Sequence, residues 1–363
     1  METNAAQSES SADRKRSSLR ILVALAAGVA LAWLAAEAIL RATVDAKALL
    51  DPNTDAYWRE HFRAEPRLAP DIEHDEILGW RMRRNWRADG VTHDEHGHRV
   101  TPHPESKALR THAPIVLLGD SFTYGLGVRD AETYAARLAE LVTDRAVINT
   151  GTNGWGLDQQ VRAFETEIAG LRPALVVVGY FLDDFRRNGL SFREGAKPRF
   201  VLQHDGLRLD PATVPPPDEA RRALGGGVGG SYVWAALCAL ERRLAGTRGA
   251  YTSDAEFENH AQISERLLAR LARSVRDVDA QLLVLTIPHC RYEGYPDAER
   301  IEQEITAACA RLKLAHVSTT PLCKEAEARG VTVFNTLCHW SSEGHALVAR
   351  MLAEHIAGLG LER

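Results

Sequence analysis

The chain has 363 residues, of which 45% are hydrophobic, so it is long enough to bury a full core and to form more than one domain. Its 44 basic and 49 acidic residues leave a net charge of −5, which gives no electrostatic basis for binding nucleic acid. The 5 cysteines show no Cys-x-x-Cys spacing, and we predict no metal site and no organic cofactor.

The N-terminal region predicts a membrane anchor. Residues 1–20 are polar, Ser-rich and basic, and we expect a disordered cytoplasmic tail there. Residues 21–42 follow as a transmembrane segment, of which residues 21–40 are apolar except for Glu37 and long enough to span a bilayer. Basic residues precede this segment, which places the bulk of the chain outside the cytoplasm: Arg14, Lys15, Arg16 and Arg20. The alternative is a cleaved signal peptide with a cut site among the small residues at 35–38.

Residues 43–110 are predicted to form a linker and a small, β-leaning N-terminal subdomain. Strand-like fragments such as Leu78-Gly79-Trp80-Arg81 alternate here with charged turns. The region also holds several histidines without a clear ligand spacing, which we expect to be solvated: His74, His93, His96, His98 and His103.

Residues 111–363 are predicted to form an α/β domain. Short apolar runs predict strands at 115–118, 146–149, 175–181, 282–287 and 314–317. Amphipathic runs predict helices at 131–142, 158–169, 254–278, 298–312 and 342–359. Apolar strands that alternate with amphipathic helices indicate a parallel sheet covered on both faces. The expected fold is therefore a three-layer α/β/α sandwich with a flavodoxin-like sheet.

An insertion at about residues 185–253 interrupts this domain. It contains a predicted hairpin that turns at Asp205-Gly206 and a predicted helix from Tyr232 to Leu244. Loops of this length inside a compact domain are typically lids or binding loops, or else disordered. We expect a partly mobile lid over the carboxyl edge of the sheet.

Three predicted strands end in polar or glycine-rich turns, at Ser121, Gly154 and Asp183. These turns converge, because the carboxyl ends of parallel strands meet at one edge of the sheet. A serine there needs a neighbouring base before it can attack a carbonyl, and His339, at the entry to the last helix, is the candidate. The backbone N–H groups of Ser121 and Gly154 would then face the developing oxyanion. The alternative is that Asp120 and Ser121 only cap the helix that follows.

These motifs resemble the SGNH (GDSL-type) hydrolase family, and more narrowly its membrane-anchored bacterial members. The resemblance covers about residues 76–356 and rests on four blocks: Gly119-Asp120-Ser121; Asn149, Gly151 and Gly154; Leu182-Asp183-Asp184; and His339 running on into Glu343-Gly344-His345. It implies Ser121 as nucleophile and His339 as base. It also implies an oxyanion hole formed by the Ser121 and Gly154 backbone and the side chain at position 183.

Two positions depart from the family pattern. Asp183 replaces the oxyanion-hole asparagine, and an ionised carboxylate can only accept hydrogen bonds. Thr336 and Leu337 stand where the acid that orients the histidine would be. Glu343 is our candidate substitute for this acid, and Asn335 or a backbone carbonyl are alternatives.

Cys290 and Cys338 are predicted to lie close together, where a disulfide could brace the histidine loop. Buried free thiols are the alternative, and the sequence leaves both open.

The leading hypothesis is a membrane-anchored serine esterase or acyl (acetyl) transferase that acts on an envelope glycan or lipid ester through a Ser121 acyl-enzyme. The expected location is the bacterial inner membrane, with the catalytic domain in the periplasm. The alternative is a catalytically degenerate module that binds a glycan or protein partner without turnover. Asp183 and Leu337 are the reasons for considering it.

Overall fold

The structure is a computed structural model and describes residues 2–64, 68–102, 112–204, 206–211, 213–224, 230–245, 250–251, 253–292 and 294–361. His103 and the predicted hairpin residue Asp205 lie outside the described residues. The chain divides into two compact units, Met1–Pro52 with Gly226–Arg248, and Asn53–Gly225 with Gly249–Arg363.

The helices, in chain order, are α1 (Glu2–Thr43), α2 (Ala46–Leu49), α3 (Asp55–Ala64), α4 (Ser121–Tyr124), α5 (Tyr134–Leu141), α6 (Leu157–Thr166), α7 (Asp184–Arg187), α8 (Pro217–Ala223), α9 (Tyr232–Ala245), α10 (Asp254–Arg276), α11 (Ala298–Leu312), α12 (Thr320–Ala328) and α13 (Ser342–Gly358). The strands are β1 (Ile72–Asp75), β2 (Gly79–Met82), β3 (Arg87–Ala88), β4 (Val91–Thr92), β5 (Ile115–Leu118), β6 (Val147–Asn149), β7 (Leu175–Phe181), β8 (Arg199–Gln203), β9 (Gly206–Asp210), β10 (Gln281–Ile287) and β11 (Ala315–Ser318).

The larger unit is built on a parallel sheet of five strands in the order β11-β10-β7-β5-β6. Neighbouring strands in this sheet all pair in parallel. Counted along the chain from β5, the order is 2-1-3-4-5, which is the flavodoxin-like order. The predicted sheet is confirmed, with each predicted strand shifted by at most one residue at its start or end.

Helices cover both faces of the sheet. Successive side chains of a strand point to opposite faces, so a strand that is apolar throughout needs cover on both. Val116 and Leu118 pack into a core that includes residues of α6, α10 and α11. Ile115 and Leu117 pack into a second core that includes residues of α5, α12 and α13. This arrangement confirms the predicted three-layer α/β/α sandwich.

The described part of residues 53–102 belongs to the larger unit and carries two small antiparallel sheets, β1-β2 and β3-β4. One histidine here differs from the prediction of solvated side chains. His93 is buried, and its ring nitrogens bond to the Arg83 carbonyl at 2.8 Å and the Tyr124 hydroxyl at 2.9 Å. Apolar packing around Trp86 and Tyr124 shields the ring, which the charged sequence around it did not reveal.

The insertion at 185–253, for which a lid is predicted, is divided between the two compact units. Its hairpin, β8 paired with β9, lies in the larger unit and contacts α10. Its helix α9 lies in the smaller unit, where it contacts α1 and α2. The insertion therefore contributes to both units.

The smaller unit contains α1, α2 and α9. Residues 19–43 of α1 are long and apolar enough to cross a membrane. The helix also continues back to Glu2, through the residues for which disorder was predicted. Residues 2–20 contain no proline or glycine, so nothing in their sequence ends the helix.

Candidate active site

Ser121 lies where β5 passes into α4, at the carboxyl edge of the sheet. The side chain of Asp120 caps this short helix, accepting a hydrogen bond from the Phe122 N–H at 2.9 Å. Capping therefore explains Asp120 and leaves the Ser121 hydroxyl free for another partner. Gly119 is required before them, because a Cβ at this position would collide with the Thr123 side chain.

His339 approaches Ser121 from the loop before α13. The Oγ of Ser121 lies 2.7 Å from the Nε2 of His339, across 218 residues of sequence. The other ring nitrogen, Nδ1, lies 2.8 Å from the carbonyl oxygen of Leu337. A carbonyl can only accept, so Nδ1 carries the proton and Nε2 of the neutral ring is free to accept from the serine hydroxyl. The structure thus brings the predicted nucleophile and base together.

The pKa of His339 lies below its usual value. Burial is the largest cause, and it outweighs the opposite effects of the Asp120 carboxylate and the Leu337 carbonyl. A lowered pKa keeps the imidazole neutral near neutral pH, which is the form that accepts a proton.

The orienting group for His339 is a backbone carbonyl, one of the alternatives left open by the sequence. The turn is fixed by Asn335, whose Oδ1 accepts from the N–H groups of Leu337 at 2.9 Å and His339 at 3.2 Å. Asn335 therefore holds the backbone that orients the ring and does not contact Nδ1.

Glu343, the candidate orienter, does not fill that role. It lies in the first turn of α13 with an exposed side chain, while the single proton on Nδ1 of His339 is directed to Leu337. His345 is also outside the site. It is buried, its Nδ1 accepts from the Tyr134 N–H at 3.1 Å, and burial lowers its pKa to about 3.

A disulfide joins Cys290 to Cys338, with a Cα–Cα distance of 5.4 Å. It ties the loop after β10 to the residue directly before His339, which confirms the bracing disulfide over the free-thiol alternative. His289 lies beside this bridge, its Nε2 4.0 Å from the Cys338 sulfur. Because both sulfurs are bonded to each other, they do not fit as thiolate ligands, and the three residues together do not suggest a metal site.

Gly154 lies in a loop braced by the N-terminal strands. Its φ of +78° is a conformation that glycine adopts without strain. Trp80 donates its indole N–H to the Asn153 carbonyl at 2.8 Å, and Trp155 donates in return to the Trp80 carbonyl at 2.9 Å. The motif around Trp80, to which the sequence assigned no role, thus fixes the loop that presents the Gly154 N–H.

Arg99 braces the chain that follows Ser121. Its guanidinium is buried and donates to the carbonyls of Tyr124 at 2.9 Å, Gly125 at 2.6 Å and Val128 at 2.6 Å. Its Nε pairs with Asp130 at 3.0 Å. Nothing in the sequence around Arg99 indicates its contact with the loop after Ser121.

Asp183 is placed beside the site but is arranged as an acceptor. The Tyr295 hydroxyl donates to its Oδ1 at 2.5 Å, and the Nε of Arg187 donates to its Oδ2 at 3.2 Å. Burial, the largest single influence, acts to raise the pKa of Asp183. The Arg187 and Arg193 charges and the tyrosine bond outweigh it and lower the pKa to about 2. The side chain is therefore an ionised carboxylate and has no proton to donate to an oxyanion.

Arg187 is the residue that the sequence most clearly failed to identify. Its Nη1 donates to Asp120 at 2.9 Å, to Asp184 at 3.1 Å and to the Trp155 carbonyl at 3.2 Å. The guanidinium is buried and fixed between the residue before Ser121 and the residue after Gly154. From the sequence, Arg187 was expected at the start of the insertion predicted as a partly mobile lid, where an arginine side chain is usually solvated.

A second buried cation supports this cluster. Lys197 pairs with Asp158 at 2.5 Å and donates to the Arg187 carbonyl at 3.0 Å. Both members of the pair are buried, so each depends on the other for compensation of its charge.

Several solved structures are similar to the chain. They include a member of the lipolytic protein G-D-S-L family from Veillonella parvula DSM 2008 (11% identity, TM-score 0.41, covering 68% of this chain and 99% of that one). An acetyl-xylooligosaccharide esterase mutant from Geobacillus Stearmophilus is 14% identical, with a TM-score of 0.42 and coverage of 69% and 97%. The lipase/acylhydrolase from Enterococcus faecalis is 13% identical, with a TM-score of 0.42 and coverage of 68% and 96%. No match was found among curated protein sequences.

The sequence model of one protein family matches residues 117–347, which is more than half of the chain. This range contains the Ser121 turn, the Gly154 loop, Asp183 and His339. The chain belongs to the GDSL-like lipase/acylhydrolase family, that is, to the SGNH hydrolases.

Proposed function

We propose that the protein is a serine esterase or acyltransferase in which Ser121 forms an acyl-enzyme. The observation that carries the proposal is the continuous hydrogen-bond chain from the Ser121 hydroxyl through both nitrogens of His339 to the Leu337 carbonyl. This chain fixes the ring tautomer that a general base requires.

In the proposed reaction, the Oγ of Ser121 attacks the ester carbonyl while Nε2 of His339 takes the hydroxyl proton. The tetrahedral oxyanion is stabilised by the backbone N–H groups of Ser121 and Gly154. Collapse of this intermediate breaks the bond to the alcohol oxygen, which leaves with the proton from His339. A water molecule or a second alcohol, deprotonated by the same ring, then releases the acyl group.

We propose that Arg187 holds the two loops of the oxyanion hole in place. Asp183 cannot donate, and the Arg187 charge is compensated by the carboxylates that it contacts, but its bonds to Asp120 and to the Trp155 carbonyl tie together the loops that carry the Ser121 and Gly154 N–H groups. Backbone donors that are held in place stabilise a developing oxyanion without reorganisation. Arg187 is thus proposed as a positioning residue for the oxyanion hole.

An acylated carbohydrate is the substrate class that we favour over a long-chain lipid ester. A cavity of about 800 Å³ opens at the carboxyl edge of the sheet, and it is lined by the rings of His289, Tyr292 and Tyr295 and by polar groups that include Gln303 and Lys324. Ser121 and His339 do not line this cavity, so we propose it as the place for the part of the substrate beyond the ester. Aromatic faces combined with hydrogen-bonding groups suit a sugar ring, whereas a fatty acyl chain would need a mostly apolar lining.

We further propose that α1 remains in the mature protein as a single membrane anchor, with the α/β domain on the periplasmic side of a bacterial inner membrane. Two contacts support retention of the helix. The Glu37 carboxylate accepts from the Tyr232 N–H at 2.9 Å, and Arg41 donates to the Gly230 carbonyl at 2.9 Å. Removal of α1 as a signal peptide would leave α9 without these partners. The basic residues before the apolar segment support the orientation.

The alternative of a binding module without turnover is favoured by one observation, the ionised state of Asp183. Hydrolysis of p-nitrophenyl acetate, p-nitrophenyl palmitate and an acetylated oligosaccharide separates the two proposals. We expect turnover of the acetyl esters that disappears in Ser121→Ala. Equal rates for the wild type and Ser121→Ala on all three esters would favour the binding module.

A further inference from the structure

Helix α9 carries the most concentrated exposed apolar surface outside α1 among the described residues. In the described part of the chain outside α1, seven large apolar side chains are exposed: Val100, Leu141, Trp234, Leu237, Leu240, Leu244 and Leu337. Four of the seven lie on α9, with exposed fractions of 63% for Trp234, 49% for Leu237, 52% for Leu240 and 79% for Leu244. Their spacing of three, three and four residues places them along one side of the helix.

The stability of α9 is not explained by burial within its own unit. The helix has 14 residues and no buried residue. Isolated helices of about this length are marginal in water, and most helices in proteins are stabilised by packing of their apolar face. A stripe that contains Trp and three Leu side chains is therefore expected to be covered in the working protein.

The position of α9 on the apolar helix α1 indicates what covers the stripe. Glu37, within the segment 19–43 that could cross a membrane, caps the N-terminus of α9. Its carboxylate accepts from the Ser231 hydroxyl at 2.7 Å and from the N–H groups of Tyr232 at 2.9 Å and Val233 at 3.1 Å. The first turn of α9 is thus fixed about two helical turns before the end of that segment.

These contacts also account for Glu37, the one ionisable residue in the apolar run 21–40. Arg41 pairs with it at 2.7 Å and lies over the Tyr232 ring at 4.6 Å. A charged side chain near the end of a membrane span is costly unless it is paired, and here the pairing groups come from its own helix and from α9. Trp234 lies in the first turn of α9, beside these contacts, and tryptophan is enriched in membrane proteins at the boundary between hydrocarbon and headgroups.

We propose that α9 is an interfacial membrane helix whose stripe of Trp234, Leu237, Leu240 and Leu244 contacts the lipid bilayer at the outer end of α1. The inference rests on the proposed membrane anchoring by α1 and adds a second lipid contact on the same unit. The N-terminal half of α9 enters deepest, because Glu37 holds it near the span, whereas Glu241 and Arg243 are charged and exposed toward its other end.

Spin labels on the full chain test this contact. Single cysteines replace Leu237 on the stripe, Arg243 as an exposed control on α9, and Val29 in the apolar helix. The background is Cys238→Ser, since Cys309 and Cys323 are buried and the remaining cysteines form the disulfide. The protein is reconstituted in nanodiscs of phosphatidylcholine and phosphatidylglycerol. Relaxation of each label by oxygen, which partitions into lipid, is compared with relaxation by a water-soluble nickel chelate.

We expect the Leu237→Cys label to resemble the Val29→Cys label, with oxygen dominant, and the Arg243→Cys label to be relaxed mainly by nickel. A water-accessible label at 237 beside a lipid-exposed label at 29 would overturn the interfacial helix and leave the anchor intact. Protection of the 237 label from both reagents would also overturn it, since protein would then cover the stripe. A water-accessible label at 29 would refute the anchor itself and the interfacial helix with it.

Discussion

Reduction of the Cys290–Cys338 disulfide is expected to destabilise the protein strongly. The two cysteines are separated by 48 residues. In the chain-entropy model, cross-linking a loop of this length removes about 14 cal/mol/K from the unfolded chain, which corresponds to about 4 kcal/mol at 25 °C. For a unit of this size, a loss of about 4 kcal/mol lowers the Tm by roughly 8 °C.

The same reduction is expected to lower turnover. Cys338 lies between Leu337, whose carbonyl accepts from Nδ1, and His339 itself, so the disulfide restrains both partners of the orienting bond. Loss of ring orientation can cost about 10⁴ in kcat when the orienting group is disabled completely. Asn335 still holds the turn after reduction, so we expect a smaller loss in kcat, on the order of tenfold to a hundredfold, with little change in KM.

Thermal unfolding and ester hydrolysis, measured with and without a phosphine reductant, test both effects. The double variant Cys290→Ser/Cys338→Ser should match the reduced wild type and show no further response to reductant. Cys238→Ser, which removes a thiol outside the disulfide, should behave as the wild type. An unchanged Tm and kcat after complete reduction, verified by thiol counting, would refute the bracing role.

Three further results are expected. In the pH profile of kcat/KM, the fall on the acidic side should have its midpoint below pH 6.5, because burial lowers the pKa of His339 and protonation removes the base. A midpoint above pH 6.5 would contradict this. Lys197→Met should lower the free energy of unfolding by about 3–5 kcal/mol by leaving Asp158 unpaired, while Lys197→Met/Asp158→Leu should recover much of it; equal denaturation midpoints for the two variants would disprove the pairing. Asn335→Ala should reduce kcat about tenfold by removing the acceptor for the Leu337 and His339 N–H groups, and an unaltered kcat would show that the turn holds without it.

The sheet and the main helices could be predicted because each buried parallel strand is an uninterrupted apolar run. β7 and β10 carry no polar residue that would break the pattern, apart from Thr286 and the exposed Gln281 at the start of β10. The helix α12 was not predicted, because Thr320-Pro321 at its start is typical of a turn as well as of a first helical turn.

Ser121 could be proposed as nucleophile from the turn at the end of a predicted strand, and His339 as base from its place before the last helix, but their supporting groups could not be predicted. The Leu337 carbonyl is a backbone group and leaves no signal in the residue type at position 337. Arg187 and Lys197 lie in a charged stretch after Asp183, and only the fold shows that their side chains are directed inward. The contact of Glu37 with Tyr232 joins positions 195 residues apart, which no local pattern indicates.

The central claim, that Ser121 is a nucleophile activated by His339, is tested most directly by covalent trapping. The purified protein is incubated with a fluorophosphonate probe, and its intact mass and peptide map are measured beside Ser121→Ala and His339→Ala. We expect one adduct per chain, located on Ser121, absent from Ser121→Ala and formed much more slowly in His339→Ala. A wild-type protein that remains unlabelled, or that is labelled equally in Ser121→Ala, would contradict it.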